Sequence, residues 1–320
     1  MGRVILDRRE LALEYITDCL LIRSPDQPPR TLPLARIQQL ICLHSVQVTT
    51  QLIGQLLKRG IDFIVVNQRH VEHGFSLFAD HQRDATRRAL QYRWQEQDAL
   101  RLAWSRRLVI HKLKVASHTL QTTDEVGSRA LRESLARGCL RVVQAETEDA
   151  LRGMEGAAQK AVFAWWRKRL PESLGFNGRK RRPPPDPVNA VLSLSYVLAH
   201  DEAARQLKIA GLDPCLGMYH RLVSGRLALA CDLMEPLRPV IEAWVMSLFL
   251  ERRLDSRHFG SPSRQGCLLG KQGRLQFYEY LEVPQRQWRK RLAGYARVLA
   301  NAVDARAEAE PSPVQEFGNE

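Results

Sequence analysis

The chain has 320 residues, enough at roughly 150 residues per domain for two. Apolar residues at 44% and charged residues at 26% exclude a disordered chain. Lys and Arg number 48 against 35 Asp and Glu, a net charge of +13 that points to a polyanionic partner, nucleic acid first. The cysteines (Cys19, Cys42, Cys139, Cys215, Cys231 and Cys267) are scattered with no C-x-x-C spacing. That argues against a zinc ribbon or a redox pair and fits a reducing compartment, with the thiols read as packing residues. The first fifteen residues lack the apolar stretch of a signal peptide, and the strongest apolar run, VIEAWVMSLFL, is short and carries Glu242. These features predict a soluble cytoplasmic protein with no membrane partner.

Up to about residue 80 the pattern is short and β-prone. Strands are predicted at 4–6, 11–15, 19–22, 31–34 and 39–43, with SPDQPP read as a proline-rich turn. QVTTQLIGQLLKRG repeats Val48, Leu52, Leu56 and Leu57 at helical spacing and stops at Gly60. Residues 61–66 and 70–78 read as further strands. Beyond residue 84 apolar residues recur every three or four positions, predicting helices over about 91–121, 128–138, 140–170, 187–207, 227–254 and 284–304. The predicted fold is therefore α+β: a β-rich N-terminal domain over 1–88, an all-α domain over 89–304, and an acidic, frayed tail over 305–320.

Four segments of the helical part could carry chemistry. In LRGMEGAAQKAVFAWW, Glu155 stands one position off the stripe Leu151, Met154, Ala158, Val162 and Trp165, between Gly153 and Gly156. Each glycine costs a helix interior about 0.5–1 kcal/mol relative to Ala, which makes sense where something approaches the backbone closely. In GLDPCLGMYHRLVSGR, His220 precedes a glycine loop. In LALACDLMEPLRP, Asp232 and Glu235 share one face if the segment is helical, with Arg238 as the plain ion-pair partner and Pro236 and Pro239 set to kink it. Carboxylates with one imidazole suit Mg²⁺ or Mn²⁺, if these separated residues meet in space. The fourth segment carries Arg167, Lys168, Arg169, Arg179, Lys180, Arg181 and Arg182 beside Trp165, Trp166 and Phe176, a composition suited to phosphate contact with a stacking option. RQWRKRLAGYAR, with Arg289 and Lys290, repeats the basic pattern. The plainer alternatives are a helix-end glutamate, a hydrogen-bonded structural histidine and solvated basic loops.

GMEGAAQKAVF, RRPPPDPVNAVLSLSYVLAHDEA, GLDPCLGMYHRLVSGR and CDLMEPLRP occur in this order over about ninety residues. Together they resemble the CRISPR-associated adaptation integrase, the first of the two proteins that capture new spacers, over the full chain. The resemblance implies a metal-dependent DNA endonuclease and integrase with an N-terminal β-domain and a helical catalytic domain. It further implies a homodimer, paired through the β-domain, that works with a small ferredoxin-like partner on protospacer fragments, the CRISPR repeat and leader, and branched DNA. Carried over by motif, Glu155, His220 and Glu235 are the metal ligands for Mg²⁺ or Mn²⁺ and Asp232 is an auxiliary acid, although members of the family differ in which of these last two acids touches the metal. Cys215, Tyr219 and Pro236 depart from the usual pattern, and Pro236 bears on the local acid geometry. Two other classes fit the same residues. A structure-selective nuclease acting on branched DNA in repair would use the same site without the partner, and a non-catalytic basic scaffold would be indifferent to EDTA.

Overall fold

The structure, a computed structural model, describes residues 2–25, 27–66, 74–79, 85–180, 183–260 and 266–307. The predicted strand residues 70–73, the basic residues Arg181 and Arg182, and the predicted tail beyond residue 307 lie outside these. The chain divides into two compact units, Met1–Arg83 and Asp84–Glu320.

The first unit holds strands β1 (Gly2–Leu6), β2 (Ala12–Ile16), β3 (Cys19–Ser24), β4 (Gln27–Pro33), β5 (Ile37–Cys42), β6 (Gln47–Val48), β7 (Asp62–Val65) and β8 (Phe75–Leu77), with helix α1 (Thr50–Lys58) between β6 and β7. They form two sheets, ordered β1-β5-β7-β8 and β4-β3-β2-β6. The β5–β7 pair is parallel, in register Leu40 to Phe63, so its strands need a crossover, which α1 supplies. Thr49 caps α1 by accepting the Leu52 N–H at 3.3 Å. Leu13 and Leu20 from one sheet, Leu40 and Phe63 from the other, and Leu52 and Leu56 from α1 meet in one core. The turn read at SPDQPP is shorter than predicted: β3 ends at Ser24, Pro25 lies in the turn, and the chain enters β4 at Gln27 and runs through Pro28 and Pro29. A missing N–H costs little there, because β4 lies at the edge of its sheet and pairs with β3 alone.

The second unit is helical, so the α+β reading holds. Its helices are α2 (Ala85–Gln95), α3 (Asp98–Thr123), α4 (Arg129–Val143), α5 (Glu148–Arg167), α6 (Pro187–Ile209), α7 (Ala228–Met234), α8 (Arg238–Leu250) and α9 (Lys271–Ala307). Helix α6 is buried along most of its length and packs against α7, α8 and α9, while α3 packs against α4, α5 and α8. Asp186 starts α6, accepting the Asn189 N–H at 2.8 Å, with Pro187 in the first turn where its missing donor is harmless. The periodic stretch 140–170 breaks at 144–147, where Thr147 accepts the Ala150 N–H at 3.2 Å and Glu148 and Asp149 favour the new N-terminus. Likewise 91–121 divides between α2 and α3. Helix α9 is longer than predicted and carries Pro284 inside it. Among the described residues no helix is long and apolar enough to cross a membrane.

Leu40 is fully buried on β5. Leu40→Ala is expected to lower the urea-unfolding free energy by about 2–5 kcal/mol. A drop below about 1 kcal/mol would remove β5 from the centre of that core.

Candidate active site

Three segments, far apart in sequence, meet at the floor of one cleft. Helix α5 supplies Glu155, the loop before α7 supplies His220, and a tight turn between α7 and α8, Glu235–Leu237, supplies Glu235. A fourth group joins them. Lys112 of α3 sits on the buried stripe of that helix, one turn from Val109 and Ala116, and is only 4% exposed. Its ammonium donates to Glu155 and, at 2.7 Å, to Glu235 Oε2. Arg238 Nε ion-pairs with Glu235 Oε1 at 2.9 Å, as the i+3 spacing allowed. Burial pushes the Glu235 carboxyl up, but Arg238, Lys112 and His220 outweigh it and hold it at about 2. Burial likewise opposes the Lys112 charge, and Glu235 followed by Glu155 overcome it, so the ammonium stays above the ordinary lysine value.

Asp232 and Glu235 do not act as a pair on one helix face. The proline at 236 tightens the chain directly after α7, and the two carboxylates part. Asp232 turns into the preceding loop, where it accepts the backbone N–H groups of Met218 (2.6 Å), Tyr219 (3.0 Å) and His220 (2.9 Å). The same carboxylate accepts His220 Nδ1–H at 2.6 Å. That bond fixes the ring so that Nε2 faces the carboxylates, 3.8 Å from Glu235 Oε1. The loop is tight: a Cβ at Gly217 would lie 2.7 Å from the His220 carbonyl oxygen. Around Glu155, by contrast, a Cβ on Gly153 or Gly156 would meet nothing in the chain. Gly156 instead lines the cleft, leaving the backbone beside Glu155 open to a ligand.

The cleft encloses about 1030 Å³ and its rim carries Arg152, Lys160, Arg167, Arg179, Lys180 and Arg221. The sequence-predicted basic residues divide. Arg167 and Lys180 are exposed, joined on the rim by exposed Lys160 and Arg221, which the sequence did not single out, whereas Arg179 bonds Asn189 Oδ1 (3.0 Å) and Ser193 Oγ (3.1 Å) and so braces the start of α6. Lys168 is exposed beyond α5 outside the cleft lining, Lys290 is exposed on α9, and Arg289 ion-pairs with the buried Glu202 at 3.3 Å. The stacking option is corrected: Trp165, Trp166 and Phe176 are buried, with Trp165 donating to the Gly127 carbonyl at 3.1 Å and lying under Arg169. Their apolar area serves the core. The wall behind Glu235 holds a polar network the sequence did not reveal. Glu242 accepts from Tyr196 Oη at 2.6 Å and from Gln159 Nε2, burial keeps its carboxyl above the usual range, and Arg238 lies over the Tyr196 ring.

All six cysteines are free, as predicted, but of these Cys42 and Cys267 alone are buried. Cys231, next to Asp232, faces His200 of α6. Burial opposes its ionisation, but the hydrogen bond and charge of His200 prevail and bring the thiol down to about 7.

The fold is that of solved structures of low sequence identity. A Cas1 protein from Thermotoga maritima matches with a TM-score of 0.85 at 18% identity, over 94% of this chain and 97% of that one. A casposase bound to its integration product matches with a TM-score of 0.83 at 17% identity, over 100% and 95%. At the level of sequence, the CRISPR associated protein Cas1 family matches residues 4–283. A CRISPR-associated endonuclease Cas1 of Thermodesulfovibrio yellowstonii is 30% identical over 316 residues, covering 95% of this chain and 99% of that protein. The chain belongs to the Cas1 family, as the four motifs indicated.

Alkylation of Cys231 by iodoacetamide, read site by site by mass spectrometry, is expected to rise with a midpoint near pH 7. The thiolate forms as pH climbs through that value, and His200→Gln is expected to move the midpoint up towards an ordinary thiol. A midpoint that ignores His200→Gln would show that the imidazole does not hold the thiolate.

Proposed function

We propose that this protein is a divalent-metal-dependent DNA endonuclease and integrase of CRISPR adaptation. In this reading it inserts captured fragments into the repeat array by transesterification. The observation that supports it most is the convergence of Glu155 and Glu235 on one cation, with His220 Nε2 beside them, at the floor of a basic cleft. As they stand, no three His, Cys, Asp or Glu side chains among the described residues surround a metal position, and Lys112 bridges the two acids. The donor set nevertheless suits Mg²⁺ or Mn²⁺: two carboxylates already drawn to a shared cation and one imidazole whose orientation is fixed by Asp232. Glu155, His220 and Glu235 would hold the ion, with Asp232 acting as a positioning residue. A divalent ion held there would supply Lewis acidity to a phosphodiester and offset the charge that develops on it.

The remaining work falls to the chain. Exposed Lys160, Arg167, Lys180 and Arg221 are suited to grip phosphates along the cleft and so position the backbone without reading bases. The 3′-hydroxyl of the fragment is the nucleophile. Its oxygen forms a bond to phosphorus as the bond to the repeat's 3′-oxygen breaks. The attacking hydroxyl gives up its proton to solvent and the departing oxygen takes one up. The number of phosphodiesters is conserved, and no side chain is consumed as a covalent intermediate. A casposase bound to an integration product shares the fold, which supports strand joining over plain cleavage. The reading further includes cytoplasmic action as a homodimer paired through the β-rich unit, and a small ferredoxin-like partner.

Glu155→Ala, His220→Ala and Glu235→Ala are each expected to abolish strand joining and cleavage in a fragment-integration assay, while duplex binding stays within a few-fold. Full joining by a folded His220→Ala protein would remove that residue from the site. Replacing Lys160, Arg167, Lys180 and Arg221 together by Ala should flatten the salt dependence of DNA binding. For every phosphate the variant no longer neutralises, the log–log slope should fall by about 0.9 on duplex and about 0.7 on single strands. An unchanged slope would place the DNA path elsewhere.

A further inference from the structure

Lys112 is buried, yet its ammonium lies between the two acids proposed to hold the metal. The charges around it close without any added ion. Glu155 and Glu235 are matched by Lys112 and Arg238, while Glu242 is satisfied by Tyr196 and Gln159. Arg238 approaches Glu235 from the side, held over the Tyr196 ring, and does not touch Glu155. Among the described residues Lys112 alone bridges the acids, so its Nζ occupies the space in which a shared cation would be held. Two acids converging in a buried site without that charge would repel at short range, where screening by water is weak. A divalent ion entering between them meets an ammonium already in place. The two cations cannot share that space, and the lysine's flexible four-carbon stem can turn into the cleft that Lys112 lines.

We propose that Lys112 is the resident counter-ion of this site, holding Glu155 and Glu235 together before metal arrives and leaving their shared space when a divalent cation binds. The inference rests on the metal-site reading above and adds to it an exchange of ammonium for metal. Lys112 thereby raises the metal concentration the protein needs and keeps the acids converged until that concentration is met. It is a positioning residue, and its effect is read from binding and stability.

The test is Mn²⁺ binding to the full-length protein by isothermal titration calorimetry, beside thermal melting in EDTA and in Mn²⁺. Lys112→Met keeps the bulk of the stem and removes the charge. It is expected to bind Mn²⁺ at least about tenfold more tightly than the wild type, since a competing cation has gone. It should also melt lower in EDTA and gain more from Mn²⁺ than the wild type does. Unchanged or weaker Mn²⁺ affinity in a folded Lys112→Met protein overturns the exchange. Should that variant fail to fold, the wild type still decides. Acylation of Lys112 by an N-hydroxysuccinimide ester, followed by mass spectrometry, should be slow in EDTA and faster at saturating Mn²⁺, and equal protection in both overturns the inference. The underlying reading fails separately: if the wild type shows no Mn²⁺ binding that Glu155→Gln and Glu235→Gln abolish, there is no metal site for Lys112 to guard.

Discussion

The helical unit is organised around a cost, that of bringing two carboxylates together away from water. Glu235 is buried and Glu155 nearly so, and each would repel the other and lose hydration if left alone. Lys112 and Arg238 offset this, and each comes from a different helix. The cluster therefore ties α3, α5 and the start of α8 to one point, and the helices cannot slide past one another without stranding a charge. The core around it is apolar and non-directional, so it supplies most of the stability but little of the register. The ion cluster supplies the register.

Asp232 does for the loop what Lys112 does for the helices. Three consecutive backbone N–H groups and one imidazole converge on a single carboxylate. Leu216, Met218 and Tyr219 bury their side chains, and the carboxylate gives the backbone N–H groups of this segment the partners they would lack away from water. The result is an imidazole with one nitrogen committed and the other presented to the site. The two acids of the D-L-M-E motif thus carry separate tasks. One builds the loop, and the other faces the cleft.

Charge on the rim follows the same logic at longer range. Arg179 is basic in sequence but structural in place, committed to Asn189 and Ser193 at the start of α6. Arg289 answers the buried Glu202. The residues left for a polyanion are those whose side chains reach solvent at the cleft: Lys160, Arg167, Lys180 and Arg221. Net charge counts all of these alike, which is why +13 announces a partner without locating where it binds.

Periodicity alone determined much of the architecture: alternating short runs for the β-rich unit, three-and-four spacing for the helices, and Gly60 as the stop after α1. The motifs around Glu155, His220 and Glu235 named the family and picked out three side chains that the structure brings to one cleft. Local reading failed where the decisive neighbour is distant. The prolines of β4 looked like a turn because nothing local says that a strand is an edge. Trp165 and Trp166 looked available for stacking because burial is a property of the packed helices. Lys112 stands in a helix rich in Lys and Arg, where nothing local sets it apart, though it falls on the apolar stripe beside Val109 and Ala116. Only the tertiary structure sets Lys112 between Glu155 and Glu235. A charge is tolerated inside a protein according to what surrounds it in space, and its two partners here lie 43 and 123 residues along the chain.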